Sequence, residues 1–334
     1  MLQKSTNTLR VKRIILSGFL GDSLGTSVEF QSREELKRNP VTSLRGWGTY
    51  PVPPGTWSDD SSMTWCTIES ILEGYDLYKL VLKYLDWYRN GSYTATGVLF
   101  DIGIATRRAL DCVEAKLEQD GGDIGKVDIT LCSGSGEHDN GNGSLMRSAP
   151  LVVLLNSLNF TERFELIREN SSITHSHIRS VLACFFFCEL LLAMLETKNR
   201  EMAYAVAVNS LERAFTLEQL SVPTSERLAF KRILSGEILD AEEEEVFSSG
   251  YVIHTLESVL WSFYQSNNFE ETIFTAVNLG EDTDTVCSLA AQLGASYFPE
   301  EQIPQDLLAG VQRIDEVIAL AEKLERFSLE LNRK

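Results

Sequence analysis

Apolar residues recur at helical spacing along most of the chain. In residues 11–30, for example, Leu16, Leu20 and Leu24 occupy every fourth position and form one apolar face. The same periodicity predicts helices over nine further segments: 61–73, 77–89, 100–117, 144–155, 177–196, 250–266, 269–278, 286–297 and 305–331. No segment alternates apolar and polar residues with the period of a strand, and no internal repeat is visible. The pattern therefore predicts a mostly helical, all-α protein.

Three glycines interrupt the first predicted helix, at Gly18, Gly21 and Gly25. Each glycine weakens a helix by about 1 kcal/mol relative to alanine, so three together indicate close packing against another backbone. The same segment carries two carboxylates, Asp22 and Glu29, which are seven positions apart and therefore nearly on one helix face. An isolated pair of this kind is most simply interpreted as solvated surface charge.

Composition and charge narrow the class of protein. The chain has 334 residues, of which 43% are hydrophobic, so it can bury a large core. Its formal net charge of −18 argues against nonspecific binding to nucleic acid, because such binding needs a positive electrostatic field. Residues 1–10 lack the apolar segment of a signal peptide. The most apolar run, residues 181–195, is too short to span a bilayer and predicts a buried helix, so we expect no membrane partner.

The six cysteines are scattered and include no CxxC pair. Cys184 and Cys188 lie one helical turn apart within the apolar run, which predicts buried free thiols. Together with the missing signal peptide, this pattern favours a cytoplasmic, reducing location.

Two carboxylates, Asp282 and Asp284, stand one residue apart in the segment 280–285, followed by the hydroxyl of Thr285. We expect an extended turn here, with a helix beginning at Val286, so that both carboxylates face one point. Oxygen ligands of this kind suit a hard cation such as Mg²⁺ or Mn²⁺. Aspartate and threonine are also favoured helix N-caps, which is the alternative interpretation.

A second cluster of the same type, Ser58, Asp59 and Asp60, ends a loop rich in proline and glycine. It precedes a predicted helix, whose dipole stabilises negative charge at its N-terminus. Alone it would be a cap, but two such clusters in one chain favour a metal site. Asp101, at the start of another predicted helix, is a further cap or site carboxylate.

The most turn-rich segment, residues 134–143, comes before the helix predicted from Ser144. Its glycines can leave backbone N–H groups exposed, and such groups bind phosphate at a helix N-terminus. The segment matches neither the Walker A nor the dinucleotide fingerprint, so it is a weak phosphate signal by itself. His175, at the entrance of the long apolar helix, could contact a ligand or serve as a capping or core residue.

Taken in order, seven segments of the chain resemble the motifs of the ADP-ribosylglycohydrolase family. They are residues 18–30, 55–63, 100–103, 140–150, 174–175, 250–256 and 278–285. The matches span nearly the whole chain, from about residue 12 to residue 298. The resemblance implies a single-domain orthogonal helical bundle over residues 8–331, with two Mg²⁺ ions, or Mn²⁺ in some members, in a cleft. It also implies hydrolysis of the glycosidic bond between ADP-ribose and an acceptor.

The resemblance also implies roles for individual residues. The implied metal ligands are Ser58, Asp59, Asp60, Asp282, Asp284 and Thr285. The implied catalytic carboxylates are Glu29, Asp59, Asp60 and Asp101. The implied substrate contacts, near the diphosphate and distal ribose, are Asn140, Gly141, Asn142, Gly143 and His175.

The chemistry of these residues agrees with the resemblance. Carboxylates gathered in one cleft repel one another severely, and two divalent cations would offset their charge. Cleavage at the anomeric carbon passes through an oxocarbenium-like transition state, which nearby carboxylates stabilise. A carboxylic acid or a metal-bound water must also protonate the leaving group. Glu29 or Asp101 could do so, and the sequence does not choose between them.

The chain departs from the family motifs at three positions, and two other interpretations compete with a hydrolase. Ser58 stands where many relatives have Thr, Ser61 replaces a frequent Thr, and Glu281 stands where Gly is frequent. Residues 282–286 also resemble the nucleophile loop of haloacid-dehalogenase-type phosphatases, which must follow a buried strand. A catalytically inactive ADP-ribose-binding or structural relative, as in the lens crystallins, is the other alternative. The sequence leaves open the acceptor, whether arginine, serine, nucleic acid or a small molecule, and the oligomeric state.

Overall fold

The described part of the chain, residues 9–217 and 222–332 of a computed structural model, is built from α-helices; the predicted domain start, residue 8, lies outside it. The helices are α1 (Leu9–Gly25), α2 (Arg33–Arg38), α3 (Asp59–Leu72), α4 (Leu77–Asn90), α5 (Ile104–Gln119), α6 (Val152–Leu155), α7 (Phe160–Ser171), α8 (Ile178–Thr197), α9 (Arg200–Phe215), α10 (Thr224–Ala229), α11 (Lys231–Ser235), α12 (Val252–Gln265), α13 (Phe269–Val277), α14 (Thr283–Tyr297), α15 (Gln305–Ala309) and α16 (Ile314–Leu331). Short 3₁₀ helices and turns connect them. Within these ranges the β-structure is limited to isolated bridges, and no strand forms. The all-α prediction is confirmed. The phosphatase alternative is wrong, because Asp282 follows helix α13 and not a strand.

Helix α8 runs through the middle of the hydrophobic core. It carries the most apolar sequence of the protein, and its phenylalanines Phe185, Phe186 and Phe187 are completely buried. Its length and composition would allow it to cross a membrane, but 94% of its apolar window is buried inside the protein. Helices α7, α9 and α12 pack around it. These features are those of a core helix, as the sequence predicts.

Helices α1 and α14 form the most extensive helix pair. A Cβ atom added to Gly21 would lie 2.4 Å from the carbonyl oxygen of Cys287, and one added to Gly25 would lie 2.3 Å from the backbone of Asp284. The prediction that the glycines of the first helix pack against another backbone is therefore confirmed. Because α1 is an inner helix, its residue Asp22 is fully buried, and Glu29, just beyond its end, is buried too. The interpretation of this pair as surface charge is therefore wrong.

Several predicted helix boundaries differ from the structure. Helix α14 begins at Thr283, three residues before the predicted start, so Asp284 lies in its first turn. Residues 144–148 form turns, and a 3₁₀ turn containing Pro150 precedes the short helix α6. The last predicted helix is two helices, α15 and α16, because α15 ends at Gly310.

The cysteines are in two states. Cys184 and Cys188 are buried free thiols, as predicted, and so are Cys66 and Cys287. The remaining two cysteines form a disulfide between Cys112 and Cys132, which the sequence analysis did not predict. It ties helix α5 to the segment that leads into the glycine-rich loop, residues 134–143.

Candidate active site

Two helix N-termini bring the predicted acidic residues together. Asp59 and Asp60 are the first residues of α3, while Asp282 is the N-cap of α14 and Asp284 lies in its first turn. The two helices meet where the hydroxyl of Thr285 donates a hydrogen bond to Asp60 Oδ2 at 3.2 Å. The positive ends of both helix dipoles therefore point at a cluster of negative charge, which they help to stabilise.

A further buried carboxylate, Asp22, holds the turn at the start of α3 in place. Its Oδ1 accepts a hydrogen bond from the backbone N–H of Ser58 at 2.9 Å, and its Oδ2 accepts one from the N–H of Ser61 at 3.0 Å. Asp22 therefore caps α3 from the neighbouring helix α1. No pattern in the sequence predicts this role, because the partners are backbone groups that any residue could supply.

Glu29 and Asp101 complete the acidic cluster from two loops. Carboxylate oxygens of Glu29, Asp101 and Asp284 lie within 4.8 Å of one another. Asp101 also faces Asp59 closely enough to share a hydrogen bond with it, and the second oxygen of Asp59 accepts from the N–H of Gly103 at 3.3 Å. The loops after α1 and before α5 thus close the cluster opposite the two helix ends.

Burial and mutual repulsion raise the pKa values of these carboxyl groups. Burial is the largest cause for Glu29, whose pKa rises to about 10, and the charges of Asp101 and Asp282 add to it. The pKa values of Asp60 and Asp284 lie well above the usual range for the same two reasons. The cluster is therefore unfavourable as a set of free anions and calls for bound cations or protons.

Two oxygen atoms in the cluster are available to bind the predicted cations. Asp60 Oδ1 and Glu29 Oε2 are buried and have no hydrogen-bond partner among the described residues. Buried acceptors normally have a partner, so these atoms point to a missing ligand. Every candidate ligand is an oxygen, which is the donor set that hard divalent cations take.

A cleft of about 770 Å³ opens over the cluster, a volume typical of small-molecule sites. Eleven of the thirteen predicted site residues line it: Glu29, Asp59, Asp60, Asp101, Gly141, Asn142, Gly143, His175, Asp282, Asp284 and Thr285. Ser58 and Asn140 are not part of its wall. The Ser58 hydroxyl accepts from the N–H of Asp60, and the Asn140 side chain bonds the carbonyl of Glu137 and the hydroxyl of Ser180.

The glycine-rich loop forms one wall of the cleft through its contacts with the rest of the protein. The N–H of Asn142 donates to the carbonyl of Gly250 at 3.1 Å, and its side-chain amide donates to Asp282 Oδ2 at 2.5 Å. Asn142 therefore connects the loop to the acidic cluster. A Cβ atom on Gly143 would lie 2.9 Å from the His175 ring, so this position needs a glycine for close approach.

His175 presents a defined hydrogen-bond donor to the cleft. The hydroxyl of Thr174 accepts from Arg147 at 2.9 Å, which leaves its proton for His175 Nδ1 at 2.8 Å. With the Thr174 proton donated to Nδ1, the histidine carries its own proton on Nε2, which faces the glycines of the loop. Burial, with the charge of Arg147, lowers the pKa of His175 to about 3. His175 is therefore a neutral imidazole that can donate one hydrogen bond to an anionic or hydroxyl ligand.

Other residues of the cleft wall were not predicted as ligand contacts from the sequence, among them Phe30, Ile104, Arg108 and Glu281. Phe30 and Ile104 are exposed and apolar, and they flank the acidic cluster. Arg108, one turn after Ile104 on α5, supplies the only lysine or arginine side chain of the described cleft wall. Phe30 and Glu281 lie within the motif segments 18–30 and 278–285, whereas no motif includes Ile104 or Arg108. The fold brings all four residues to the cleft.

Comparisons with known proteins match nearly the whole chain to one family. A family model described as ADP-ribosylglycohydrolase matches residues 4–332. The ADP-ribosylarginine hydrolase Tri1 of Pseudomonas putida (strain GB-1) is 30% identical, over 94% of this chain and 77% of that protein. Its counterpart from Serratia proteamaculans (strain 568) is 28% identical, over 97% and 81%.

A solved structure leads to the same family. The chain superimposes on an ADP-ribosylglycohydrolase-related protein complex with a TM-score of 0.76 and 31% identity, covering 96% of this chain and 99% of that one. The similarity therefore includes the fold, the sequence and the full length of the helical core. The protein belongs to the ADP-ribosylglycohydrolase family.

Proposed function

We propose that the protein hydrolyses the glycosidic bond between ADP-ribose and an arginine side chain and so reverses ADP-ribosylation. The observation that carries this proposal is the buried carboxylate cluster at the bottom of a cleft, with unpartnered oxygen atoms on Glu29 and Asp60. An inactive relative would have no use for so unfavourable a cluster. Arginine is the acceptor named for the two ADP-ribosylarginine hydrolases described above.

The cleft wall offers complementary contacts for each part of ADP-ribose. The neutral Nε2–H of His175, the loop 141–143 and the guanidinium of Arg108 would contact the diphosphate and the adjoining ribose. The distal ribose would then lie over the acidic cluster, where positive charge develops during cleavage. Carboxylates in a water-poor site stabilise an oxocarbenium-like transition state electrostatically.

We assign protonation of the leaving group to Asp101. This residue is the least buried carboxyl of the cluster, and it shares a hydrogen bond with Asp59. Burial raises the pKa of Asp101, which favours its protonated form. A carboxylic acid that faces both the cleft and solvent can donate its proton to the departing nitrogen and be reprotonated afterwards.

The residues present fit two divalent cations, Mg²⁺ by preference and Mn²⁺ as a substitute. Asp59, Asp60, Asp282, Asp284 and Thr285, with Ser58 and Glu29 beside them, would hold these ions. When bound, the ions would neutralise the carboxylates, bind ribose hydroxyls and activate water. We also propose a cytoplasmic location on the basis of the buried free thiols, although the disulfide between Cys112 and Cys132 is more typical of oxidising compartments.

Titration calorimetry of ADP-ribose into metal-stripped protein tests the site. We expect binding only after Mg²⁺ is added, and no binding by Asp284→Asn. Release of ADP-ribose from an arginine-modified peptide tests the reaction. Asp101→Asn should retain binding but lower kcat by about 10²- to 10⁴-fold, the contribution typical of a general acid. A protein that binds ADP-ribose in Mg²⁺ yet cleaves neither arginine-linked nor serine-linked peptides would be a binding relative instead.

A further inference from the structure

Glu281 and Phe30 form a strained pair at the rim of the cleft. Both have positive φ angles, 61° for Glu281 and 66° for Phe30. Their backbones are joined, because the N–H of Phe30 donates to the carbonyl of Glu281 at 2.6 Å and the N–H of Glu281 donates to the carbonyl of Gln31 at 2.8 Å. Glycine adopts such angles without steric cost, whereas residues with a side chain do so rarely.

The surrounding structure fixes this strained turn. A Cβ atom on Gly280 would lie 2.6 Å from the backbone nitrogen of Arg33, so the two segments are in direct contact. The guanidinium of Arg33 also donates to the carbonyl of Leu279 at 2.9 Å and to that of Val246 at 2.5 Å. The rim is therefore rigid, and its strain is maintained by packing. Strained backbone of this kind concentrates at ligand clamps.

Both side chains are available to a ligand. Phe30 is 70% exposed although it lines the cleft, and Glu281 is exposed beside it. Among the described residues, the Glu281 carboxylate has neither an ion-pair nor a hydrogen-bond partner. The nearby imidazole of His254 is engaged with the hydroxyl of Ser249 at 2.8 Å, and burial lowers its pKa, so it does not neutralise Glu281. The rim thus presents an unpaired anion next to an uncovered aromatic ring.

We infer that Glu281 and Phe30 recognise the guanidinium of the arginine acceptor, an inference that rests on the proposed function. Each is the immediate neighbour of a carboxylate of the reacting centre, Asp282 and Glu29 respectively, so the pair lies at the end of the cleft where the acceptor leaves. A guanidinium pairs with a carboxylate through two parallel N–H groups and stacks on an aromatic face. A neutral serine acceptor gains neither contact, so the pair selects for arginine.

The test compares two chemically defined peptides, one ADP-ribosylated on arginine and one on serine. Glu281→Gln keeps the size and backbone strain of the residue but removes its charge. We expect it to lower kcat/KM for the arginine-linked peptide about fivefold, through KM, and to leave the serine-linked peptide unchanged. Phe30→Leu should produce about a threefold loss with the same selectivity. Glu281→Gly should show the same selective loss and also melt at a higher temperature, because glycine relieves the strain.

Binding of a guanidine without the peptide gives a second readout. With ADP-ribose and Mg²⁺ present, agmatine should bind the wild-type protein about fivefold more tightly than it binds Glu281→Gln. Glu34→Gln, an exposed charge on α2 outside the cleft wall, is the matched control and should change neither assay.

Each contrary result has a separate meaning. An equal effect of Glu281→Gln on both peptides would show that it acts through the neighbouring metal ligands, which overturns the inference. No effect on either peptide, in an enzyme whose wild type cleaves the arginine-linked one, overturns the inference and leaves the proposed function intact. A wild-type protein that cleaves only the serine-linked peptide overturns the inference together with the arginine acceptor. Cleavage of neither peptide by the wild type overturns the proposed function as well.

Discussion

Asp22 shows how a single residue can hold a repulsive site together. Its carboxylate is fully buried, and burial raises its pKa, but hydrogen bonds from the N–H groups of Ser58 and Ser61 act in the opposite direction. These bonds fix the turn that carries Asp59 and Asp60. The acidic centre is therefore supported by backbone donors, while its own carboxylates push one another apart.

Removing one charge from the cluster should separate stability from function. Asp284→Asn keeps the shape of the side chain but removes one repelling charge, so we expect the metal-free protein to gain about 1–2 kcal/mol in its free energy of unfolding. The same variant should lose Mg²⁺-dependent binding of ADP-ribose. Chemical denaturation without metal measures the first effect. The exposed Asp306→Asn is the control, and a lower stability of Asp284→Asn than of this control would contradict the repulsion argument.

The raised pKa values also predict how stability changes with pH. An unfolded carboxyl group titrates near pH 4, whereas Glu29 in the folded protein has a pKa of about 10. Between these values the folded protein binds more protons than the unfolded chain, so its free energy of unfolding falls as pH rises. The melting temperature of the metal-free protein should therefore decrease between pH 5 and pH 9. This decrease should be larger than the decrease measured with saturating Mg²⁺. Parallel curves with and without Mg²⁺ would refute this.

The carboxylates of the site were predictable at the residue scale, but the rim of the cleft was not. Asp59, Asp60, Asp282 and Asp284 stand in short motifs with hydroxyl neighbours, which makes them candidate site residues in the sequence. The left-handed backbone of Glu281 depends on contacts with residues 31–33 of another segment. Contacts between distant segments leave no local pattern for a sequence argument to use.

At the level of secondary structure, the contact between α1 and α14 sets the spacing of the site. Gly21 and Gly25 let the two backbones touch, and the first turn of α14 carries Asp284 and Thr285. The hydroxyl of Thr283 donates to the carbonyl of Gly25 at 2.8 Å, which fixes the end of α1 to the start of α14. Any widening of this contact would move one half of the cluster relative to the other.

Two alanine substitutions on α1 test this role of the glycines. Gly21→Ala would place its Cβ 2.4 Å from a backbone carbonyl, whereas Gly18→Ala would meet only the flexible end of Gln292. Both gain the same helix propensity. We expect Gly21→Ala to cost about 1–3 kcal/mol of stability and to weaken Mg²⁺ binding, while Gly18→Ala stays close to wild type. Equal melting temperatures and equal Mg²⁺ affinities for the two variants would rule out the close-contact explanation.

The helices most visible in the sequence were those with a continuous apolar stripe. α1, α3, α4, α8, α12 and α13 were all predicted to within a few residues. α7 and α9 were missed, because their apolar positions are diluted by charged ones on the exposed side. α14 was predicted to begin too late, since Asp284 and Thr285 resemble a turn until Asp282 is recognised as the cap of that helix. The glycines of α1 predicted close contact with another backbone, but they did not identify α14 as the partner.

At the scale of the whole molecule, net charge opposes capture of the substrate. The protein carries a formal charge of −18, and ADP-ribose brings the negative charge of its diphosphate. Within the described cleft wall only Arg108 is a permanently positive side chain. Long-range repulsion between like charges slows association, and dissolved salt screens it.

The association rate constant of ADP-ribose should therefore rise with ionic strength. With Mg²⁺ saturating, we expect an increase as KCl is raised toward roughly 150 mM, where the screening length is about 8 Å. Stopped-flow fluorescence measures the rate, and sucrose at matched osmolality is the control for effects other than screening. A rate that falls with KCl would mean that bound cations and Arg108 already make the cleft attractive to anions.

The pairing of α1 with α14 also has a consequence during protein synthesis. Gly25 and Thr283 are 258 positions apart. At about 5–20 residues per second, α1 leaves the ribosome roughly 13–50 s before its partner has been made. Through that interval the apolar face of α1 and the long apolar helix α8 lack part of their final cover, which makes the nascent chain a natural client of chaperones. A message truncated anywhere before α14 would yield no half-active enzyme, because the start of this helix carries three of the six proposed metal ligands, Asp282, Asp284 and Thr285.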